Sequence, residues 1–387
     1  MKKTISILGS TGSIGLSTFK IIDNKKLFKI ILLSANKNFP LICKQIKKYK
    51  PKYFVISDKK TFLKAKKKFK NKTVILNNIK SFKLNKKIDI TISAIPGIAG
   101  LLPTLHIIKK SKKILIANKE SIICGWDLIK KKAKKFNTKI VPVDSEHFSI
   151  FKLLEHHKLN EIKKIYITAS GGPFLNYKSH QLKKIKPKQA INHPKWKMGK
   201  KISVDSSTMM NKLLELIEAH KLFNISNSKL DILIHPESLV HGIIELKNGL
   251  KKFIYHETSM IVPLANALFE GNFDIKNFYK DKKNKQIQNL TFLKVNPTIF
   301  PLIKLKKRIT EYTSTPIIIN AANEILVDHF LRKKIPFLSI FEFILSILSN
   351  SNYKQNAIKK PKNINQINLI DNWARNKTLE LIKHRYE

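Results

Sequence analysis

The chain has 387 residues, 43% of them hydrophobic, and a formal net charge of +49 that comes almost entirely from lysine. A chain of this length is expected to form two or three domains, its apolar runs are far shorter than the roughly 20 residues of a membrane-spanning helix, and its two cysteines build no disulfide framework. Because the lysines are spread along the whole chain and arginine, the better reader of bases, is scarce, compositional bias explains the charge better than nucleic-acid or membrane binding does.

Short apolar segments alternate with lysine-rich helical segments in the first part of the chain. A helix is predicted from about Ile14 to Asn24, and strands are predicted at Thr4–Leu8, Lys29–Ser34, Tyr53–Ser57, Thr73–Leu76, Asp89–Ser93, Lys113–Ala117 and Lys139–Val143. This alternation indicates a parallel, doubly wound sheet, so the predicted fold class is α/β with an N-terminal Rossmann-like sheet.

The pattern changes at about residue 145. Strands are predicted at Lys164–Thr168, Leu230–Ile234, Gly242–Leu246 and Lys252–His256, helices at Ser207–Leu222, Ile317–Phe330 and Ile340–Leu348, and loops at 272–290 and Asn350–Asn365. We therefore expect a nucleotide-binding domain over 1–144, an α+β catalytic domain over 145–271, a linker over 272–299 and a helical domain over 300–387.

A glycine-rich turn, Gly9-Ser10-Thr11-Gly12-Ser13-Ile14-Gly15, joins the first predicted strand to the first predicted helix. Glycines let the backbone approach a pyrophosphate, and the helix N-terminus offers free N–H groups. An ordinary tight turn is the alternative, but the position in the first βα unit favours dinucleotide binding.

The choice of dinucleotide is made at the end of the second strand, in Ser34-Ala35-Asn36-Lys37-Asn38. This segment holds no acid for the ribose 2′-hydroxyl of NAD, and Lys37 could meet a 2′-phosphate. The sequence therefore favours NADPH, with a solvated loop lysine as the alternative.

Acidic residues stand out in so basic a chain. Val141-Pro142-Val143-Asp144-Ser145-Glu146-His147 ends a predicted strand, and in extended geometry Asp144 and Glu146 point to the same side. Two carboxylates placed in this way suit a hard cation such as Mg²⁺ or Mn²⁺, although a polar strand end would show the same residues.

A third acid lies on the helix predicted after Ser203-Val204-Asp205-Ser206-Ser207-Thr208. Asn211, Lys212 and Glu215 can share one face of that helix, and a phosphate could bind at its hydroxyl-rich start, within reach of Lys212. The alternative is N-capping by Ser206 and a solvated helix face, which suits Glu218 better than Glu215.

Two further segments could close around an anion. Ser170-Gly171-Gly172-Pro173-Phe174 follows a predicted strand and offers a hydroxyl and bare backbone, or forms a simple turn. The segment from His193 to Lys200 carries an exposed-looking Trp196 and could fold over a ligand as a lid. Its alternative is a surface loop whose tryptophan packs on a neighbouring domain.

Taken in order, these motifs resemble the 1-deoxy-D-xylulose 5-phosphate reductoisomerase family. The resemblance rests on the glycine turn, Ala-Asn-Lys-Glu-Ser at 117–121, Pro-Val-Asp-Ser-Glu-His at 142–147, Ser-Gly-Gly-Pro-Phe, the long run from His193 to Lys212, and Asn-Ala-Ala-Asn-Glu at 320–324. It extends over nearly the whole chain, and the segment 193–215 is highly specific.

The resemblance implies a role for each matching position. Metal ligands would be Asp144, Glu146 and Glu215, substrate oxygens would be held by Lys119 and Ser145, and the phosphate by Ser170, Ser206, Asn211 and Lys212. His193, Trp196 and Met198 would belong to a closing flap, and NADPH would contact Thr11, Gly12, Ser13, Ile14, Lys37, Asn38, Asn118, Glu120 and Gly199. The implied assembly is a cytoplasmic homodimer, and the implied product is 2-C-methyl-D-erythritol 4-phosphate.

The chain departs from the family pattern at three places. Asn36 and Leu213 stand where the family commonly has glycine, and Thr258-Ser259-Met260-Ile261 replaces a Pro-Asp-Met-Arg-like stretch. The departures weaken the inference for the cofactor loop and for domain packing, but every metal and phosphate position is filled.

Two other classes of protein remain as alternatives. Another Rossmann-fold dehydrogenase would leave the three acids unexplained, and a phosphorylating semialdehyde dehydrogenase needs a nucleophilic cysteine that neither Cys43 nor Cys124 convincingly supplies. A basic nucleic-acid-binding protein with a degenerate Rossmann fold is disfavoured by the intact acidic trio.

Overall fold

A computed structural model describes residues 2–23, 27–196, 198–278 and 289–386. The chain forms two compact units, of which the first comprises Met1–Phe148 and Ser259–Ile287 and the second Ser149–Thr258 and Gln288–Glu387. This division differs in outline from the four segments expected from the sequence, because residues from Ser259 onward rejoin the first unit. The four-segment division stays a prediction about domains.

The first unit is built on a seven-stranded parallel sheet. Its strands are β1 (Lys3–Leu8), β2 (Phe28–Ala35), β3 (Tyr53–Ile56), β4 (Val74–Leu76), β5 (Ile88–Ser93), β6 (Ser111–Ile116) and β7 (Lys139–Pro142). Strands such as β1 and β5 are mostly buried on both faces, as expected where helices cover both sides of a parallel sheet. Each predicted strand of this region is present, with bounds that differ by one or two residues.

Helices connect these strands. They are α1 (Ser13–Asp23), α2 (Phe39–Tyr49), α3 (Lys59–Lys68), α4 (Leu101–Ile108), α5 (Lys119–Lys135) and the beginning of α6 (Ser145–Leu154), and the unit also contains α10 (Ile261–Phe269). The amphipathic α2 buries Ile42 and Ile46 while its lysines face solvent, which is how so basic a chain still forms a core.

The strand order β4-β3-β2-β1-β5-β6-β7 reverses direction at β1. Successive strands first extend to one side of β1 and then, from β5, to the other side. Open α/β sheets bind ligands at such a switch point, beyond the carboxyl ends of the strands. The glycine turn, Lys37, Asn118 and Asp144 follow β1, β2, β6 and β7 respectively, so all four lie at this edge of the sheet.

The second unit contains a mixed five-stranded sheet in the order β11-β10-β8-β9-β12. Its strands are β8 (Ile162–Ala169), β9 (Leu230–Ile234), β10 (Val240–Leu246), β11 (Lys251–Tyr255) and β12 (Leu293–Lys294). Among the strand pairings of this second sheet in the described residues, only the β8–β9 pair is parallel. Ser170 therefore follows β8 at the end of the sheet where His235 follows β9.

The helices of the second unit are the remainder of α6 and α7 (Pro187–Ile191), α8 (Lys200–Ser207), α9 (Met210–Phe223), α11 (Thr315–Leu331), α12 (Ser339–Leu348), α13 (Tyr353–Ala357) and α14 (Ile364–Tyr386). Helix α9 is buried on almost every side, including its charged residues Lys212, Glu215 and Glu218. Within the described part of the chain, no helix has the length and apolar character needed to cross a bilayer.

Two sequence-based expectations about secondary structure were wrong. The helix predicted over Ser207–Leu222 begins later, as α9 at Met210, because Met209 takes a left-handed conformation with φ 67° that separates α9 from α8. The predicted loop Asn350–Asn365 contains α13. The short strand β12 lies within the predicted linker 272–299, which stays a prediction. Part of that linker, 279–288, lies outside the described residues.

Candidate active site

The glycine turn after β1 is shaped by close backbone contacts. Gly9 has φ 84°, and a Cβ atom there would lie 2.5 Å from the carbonyl oxygen of Ala94, at the end of β5. A Cβ at Gly15 would lie 2.6 Å from the oxygen of Gly9, whereas one at Gly12 would meet that oxygen at an ordinary 3.4 Å. Gly12 and Ser13 are exposed at the start of α1, so this helix N-terminus is accessible to a pyrophosphate.

A buried hydrogen-bonded pair anchors the same turn. The Ser10 hydroxyl donates to Gln45 Oε1 at 2.7 Å, and Gln45 Nε2 donates to the Ser10 carbonyl at 2.9 Å. Both side chains are nearly inaccessible to solvent, so they hold the turn and leave ligand contact to its exposed residues. The analysis of the sequence missed Gln45, although it is a rare uncharged polar residue on the buried face of a lysine-rich helix.

Lys37 and Asn38 lie at the end of β2, where cofactor choice was expected to be made. Lys37 is exposed, and Asn38 caps α2 by accepting a hydrogen bond from the Leu41 N–H at 3.2 Å. The sequence analysis did not single out one acid near Lys37, which is Asp58. Hydrogen bonds from Thr61 and, more weakly, the charge of Lys37 lower the pKa of Asp58. Lys37 thus sits among polar groups at the edge where a ribose would bind.

Asn118 and Glu120 organise the end of β6. Asn118 Oδ1 accepts from the Ser121 N–H at 2.8 Å and caps α5, while its amide nitrogen donates to the Gly97 carbonyl at 3.1 Å and to Glu120 Oε2 at 3.0 Å. Both residues are buried, so part of their hydrogen-bonding capacity is used within the protein. Their predicted contact with NADPH stays a prediction.

The acidic pair after β7 does not have the extended geometry expected from the sequence. The strand ends at Pro142 and α6 begins at Ser145, because Asp144 caps this helix with Oδ1 at 3.3 Å from the Glu146 N–H. The two carboxylates are therefore neighbours on the first turn of a helix. The Ser145 hydroxyl donates to Glu146 Oε2 at 2.5 Å. A residue predicted to hold substrate oxygens therefore lies next to a predicted metal ligand.

Positive charge surrounds Asp144. Burial works to raise the pKa of this carboxyl, but the Lys119 ammonium, 3.5 Å from Oδ2, and the His147 ring, with Nδ1 3.4 Å from Oδ1, outweigh it and hold the pKa well below its ordinary value. Asp144 is consequently ionised at neutral pH. His147 was not among the predicted site residues, although it stands in the same motif.

In the second unit, Ser170 is positioned as a hydrogen-bond donor. His193 Nδ1 accepts from the backbone N–H groups of Lys195 at 3.1 Å and Trp196 at 2.9 Å, so the ring proton must be on Nε2, which donates to Ser170 Oγ at 2.9 Å. The Gly172 N–H also donates to this oxygen, at 3.1 Å. With two donors on its lone pairs, the Ser170 hydroxyl can give its own proton to an anion.

The neutral form of His193 agrees with its surroundings. Burial, and then the positive charge of Lys212, lower the pKa of His193 to about 4. His193 and Ser170 form one hydrogen-bonded polar cluster. Gly172 closes the cluster on another side, because a Cβ there would lie 3.3 Å from the Ser206 carbonyl oxygen.

Helix α9 brings together the three residues predicted to share one face. Asn211 Nδ2 donates to Glu215 Oε1 at 2.5 Å, and Lys212 Nζ donates to Glu215 Oε2 at 2.6 Å. The alternative of capping by Ser206 does not hold, since Ser206 lies inside α8 and the position before α9 is Met209. The solvated face that formed part of this alternative is also absent at Glu218, whose side chain is 2% exposed.

The segment expected to act as a lid is partly packed. Trp196 is half-buried, with its ring edge-to-face on His241 at 6.2 Å between centroids, and His241 stacks on His256 at 4.0 Å. The expectation of an exposed tryptophan was therefore wrong, and neither histidine had been singled out in the sequence. Lys197 lies outside the described residues, and Lys200 already belongs to α8.

The departures from the family pattern are accommodated locally. Leu213 is fully buried in α9, and the Ser57 hydroxyl donates to Asn36 Oδ1 at 3.2 Å. The stretch Thr258–Ile261 falls where the chain passes from the second unit to the first.

A glycine turn at the reversal point of a parallel sheet is typical of dinucleotide-binding oxidoreductases, and in this chain an acidic pair lies at the same edge. Sequence models of this class match three parts of the chain: 1-deoxy-D-xylulose 5-phosphate reductoisomerase at residues 5–125, its C-terminal domain at 140–223, and the DXP reductoisomerase C-terminal domain at 257–377. The chain belongs to the 1-deoxy-D-xylulose 5-phosphate reductoisomerase family.

Individual relatives agree over almost the entire length. The reductoisomerase of Pelagibacter ubique is 46% identical over 379 residues, which cover 96% of this chain and 97% of the relative. That of a Wolbachia from Drosophila simulans is 43% identical and covers 90% of both chains. The family and the fold class predicted from the sequence are thereby confirmed.

Solved structures of this family are similar throughout. A DOX-P reductoisomerase in complex with NADPH, fosmidomycin and magnesium has a TM-score of 0.91 at 32% identity, with 98% of each chain covered. The Zymomonas mobilis enzyme in complex with NADPH has a TM-score of 0.87 at 31% identity, and the match covers 99% of this chain and 100% of the other. The cofactors predicted from the sequence, NADPH and a divalent metal, are those bound in these relatives.

Proposed function

We propose that this chain rearranges and reduces 1-deoxy-D-xylulose 5-phosphate to 2-C-methyl-D-erythritol 4-phosphate, with NADPH and Mg²⁺ or Mn²⁺, in non-mevalonate isoprenoid biosynthesis. The observation that carries the proposal is the 46% identity to a reductoisomerase over 96% of the chain. The departures of this chain from the family pattern leave every predicted metal and phosphate position occupied by the expected residue type.

We assign the metal to Asp144, Glu146 and Glu215. Carboxylate oxygens are the donors that Mg²⁺ and Mn²⁺ prefer, and Asp144 is already held ionised by Lys119 and His147. When bound, the metal supplies Lewis acidity to the hydroxyl and carbonyl oxygens of the substrate. Lys119 and Ser145, next to these acids, would hold the same oxygens and orient the carbon chain.

We assign the substrate phosphate to Ser170, Ser206, Asn211 and Lys212. Lys212 is 7% exposed, so its ammonium would act on an anion in surroundings that screen charge poorly. Ser170 has its proton available, as its hydrogen bonds require. Binding energy from a phosphate distant from the reacting carbons would serve to fix the substrate.

We assign the cofactor to the first unit, with Thr11, Gly12, Ser13 and Ile14 at the pyrophosphate and Lys37 and Asn38 at the 2′-phosphate. The close packing at Gly9 and Gly15 supports this assignment, because a Cβ at either position would meet backbone of Ala94 or of the turn itself, and such a tight turn is typical of dinucleotide-binding sites. Asn118, Glu120 and Gly199 complete the proposed set. NADPH supplies a hydride for the aldehyde that the rearrangement leaves.

We further propose that the segment around His193, Trp196 and Met198 closes over the substrate and excludes water. The enzyme is expected to be a cytoplasmic homodimer with no specific nucleic-acid partner. Any DNA binding would be weak, independent of sequence and lost steeply with salt.

One assay tests the reaction: oxidation of NADPH, followed at 340 nm, with 1-deoxy-D-xylulose 5-phosphate and a divalent metal. We expect oxidation only when substrate and metal are both present. Turnover that persists with a chelator, or that requires no phosphorylated substrate, would contradict the proposal.

A further inference from the structure

The Asn-Ala-Ala-Asn-Glu segment at 320–324 has no role in the site described above. It lies on α11, where Asn320 and Asn323 are both fully buried. Two adjacent buried alanines, Ala321 and Ala322, keep this surface of the helix small. A buried asparagine loses free energy unless its amide is hydrogen-bonded, so the partners of these two residues indicate what the segment does.

Asn323 is bonded to a buried carboxylate of another helix. Its Nδ2 donates to Asp205 Oδ1 at 2.7 Å, and Lys201 Nζ lies 2.9 Å from the other oxygen, Asp205 Oδ2. Asp205 is 1% exposed. The lysine compensates the charge of the carboxylate, and the amide fixes the direction of its second oxygen, so the pair holds α8 against α11 in one orientation.

Asp205 directly precedes Ser206, one of the proposed phosphate ligands. From residue 203 to residue 210, every residue except Ser206 is buried. The Ser206 carbonyl accepts from the Met209 N–H at 3.2 Å, and the left-handed Met209 starts α9, which carries Asn211 and Lys212. A shift at Asp205 would therefore move the whole junction between α8 and α9.

Helix α11 is also held by an ion pair with α14. Glu324 forms an ion pair with Arg375 of α14, and Arg375 Nε also donates to Asp371 Oδ2 at 2.6 Å. Asn323 is thus presented by a fixed helix, which is what a positioning residue requires.

We infer that Asn323 and Asp205 are positioning residues that set the junction between α8 and α9 for binding of the substrate phosphate. The inference rests on the proposed function, in which Ser206, Asn211 and Lys212 bind that phosphate. It gives the C-terminal helices a part in substrate recognition without direct contact with substrate.

Substitution of Asn323 tests the inference in the full-length enzyme. We expect Asn323→Ala to raise the Kd for inorganic phosphate, measured by ³¹P line broadening, and the KM for 1-deoxy-D-xylulose 5-phosphate by about tenfold each. The kcat should change less than about threefold, and the Kd for NADPH, bound by the first unit, less than about twofold.

Asn320→Ala is the matched control. Asn320 is equally buried one turn earlier on α11, but its amide donates to Glu324 Oε1 of the same helix at 3.3 Å. It should lower the Tm to a similar extent and leave phosphate affinity within about twofold of wild type. If both variants weaken phosphate binding in proportion to their loss of Tm, the role is general stability and the inference is wrong.

An exchange of the two partners provides a rescue. Asp205→Asn combined with Asn323→Asp keeps one N–H···O bond between the helices and an oxygen for Lys201. We expect the double variant to bind phosphate within about threefold of wild type, although each single variant is impaired. Should Asn323→Ala not fold, a folded double variant with wild-type stability and weak phosphate binding overturns the inference.

Phosphate binding separates this inference from the proposed function. Wild-type protein that binds phosphate but does not turn over 1-deoxy-D-xylulose 5-phosphate would refute the proposed reaction and leave the positioning role in place. Wild-type protein that turns over the substrate while Asn323→Ala binds phosphate normally would refute only the positioning role.

Discussion

The two units hold their proposed site residues by different means. In the first unit, the proposed pyrophosphate site is a backbone turn at the end of β1, with Gly9 in a left-handed conformation. In the second unit, the site depends on side chains that bond to one another, such as Ser170 with His193 and Lys212 with Glu215.

This difference determines how each unit should respond to substitution. A backbone site is defined by steric and short-range rules, so most side-chain changes around it are tolerated and a few glycine changes are not. A side-chain site in a buried helix has no such tolerance, because removing one partner leaves another polar group unsatisfied. The predictions below test where this contrast holds.

The largest effect is expected at the three proposed metal ligands. Replacing Asp144, Glu146 or Glu215 with Ala should each reduce kcat/KM at least about 100-fold, as expected for the loss of a metal ligand. The measurement is NADPH oxidation over a range of Mg²⁺ concentrations. Near-wild-type turnover in Glu215→Ala would remove that residue from the site.

Glu245→Ala is the control for a lost carboxylate. Glu245 lies in the second unit, is 9% exposed and is paired with Lys163 at 2.8 Å, but it stands on β10 and has no proposed role in metal binding. Its activity should stay within about threefold of wild type.

The next effect isolates the backbone of the first unit. Gly9→Ala should lower the free energy of unfolding by about 2 kcal/mol or more, because a Cβ there meets Ala94 at 2.5 Å and φ is 84°. Gly12→Ala, whose Cβ would make an ordinary 3.4 Å contact, should keep stability and instead raise the Kd for NADPH. Equal Tm values for the two variants would contradict the idea that the turn is set by steric demand.

The same contrast explains what could be predicted from the sequence. The strands and the glycine turn of the first unit were predictable, because alternation and a glycine requirement are local signals. The spacing of Asn211, Lys212 and Glu215 was also predictable, since residues three and four apart share a helix face. The family motifs added the order of the sites along the chain.

The features that were not predicted leave no signal in the local sequence. The break between α8 and α9 depends on Met209 taking a conformation that methionine rarely adopts. The bond between Asp205 and Asn323 joins residues 118 positions apart, and Trp196 meets His241 only through the folding of the second unit. The backbone at Asp144 was wrongly expected to be extended, because the apolar pattern of the strand runs to Val143 whereas the Asp144 side chain caps α6.

A smaller effect is expected at the proposed 2′-phosphate contact of the first unit. Wild-type enzyme should show a higher kcat/KM with NADPH than with NADH, and Lys37→Ala should reduce that ratio about tenfold by removing one exposed charge contact. Lys44→Ala, which removes a lysine from the neighbouring α2, should leave the ratio unchanged. Preference for NADH in the wild type would contradict the assignment of Lys37.

The smallest effect is a spectral one and concerns the segment around Trp196. We expect it to close when substrate binds, because His193 connects it to Ser170: His193 Nδ1 accepts from the Trp196 N–H at 2.9 Å, and Nε2 lies 2.9 Å from Ser170 Oγ. A phosphate bound by Ser170 would therefore influence the position of the segment through the imidazole ring of His193. The alternative is permanent packing of Trp196 on His241, for which the edge-to-face contact at 6.2 Å provides a physical basis.

Fluorescence distinguishes the two. With Trp126→Phe and Trp373→Phe, emission reports from Trp196 alone, since the chain has 3 tryptophans. Addition of 1-deoxy-D-xylulose 5-phosphate or fosmidomycin to enzyme that already holds metal and NADPH should shift the emission and lower its quenching by iodide, because closure buries the rest of a half-buried ring. Metal and NADPH added alone serve as the control, since nicotinamide absorbs where tryptophan emits. If saturating ligand changes neither the emission nor the quenching, Trp196 is a fixed part of the second unit, and the side-chain site is as rigid as the glycine turn.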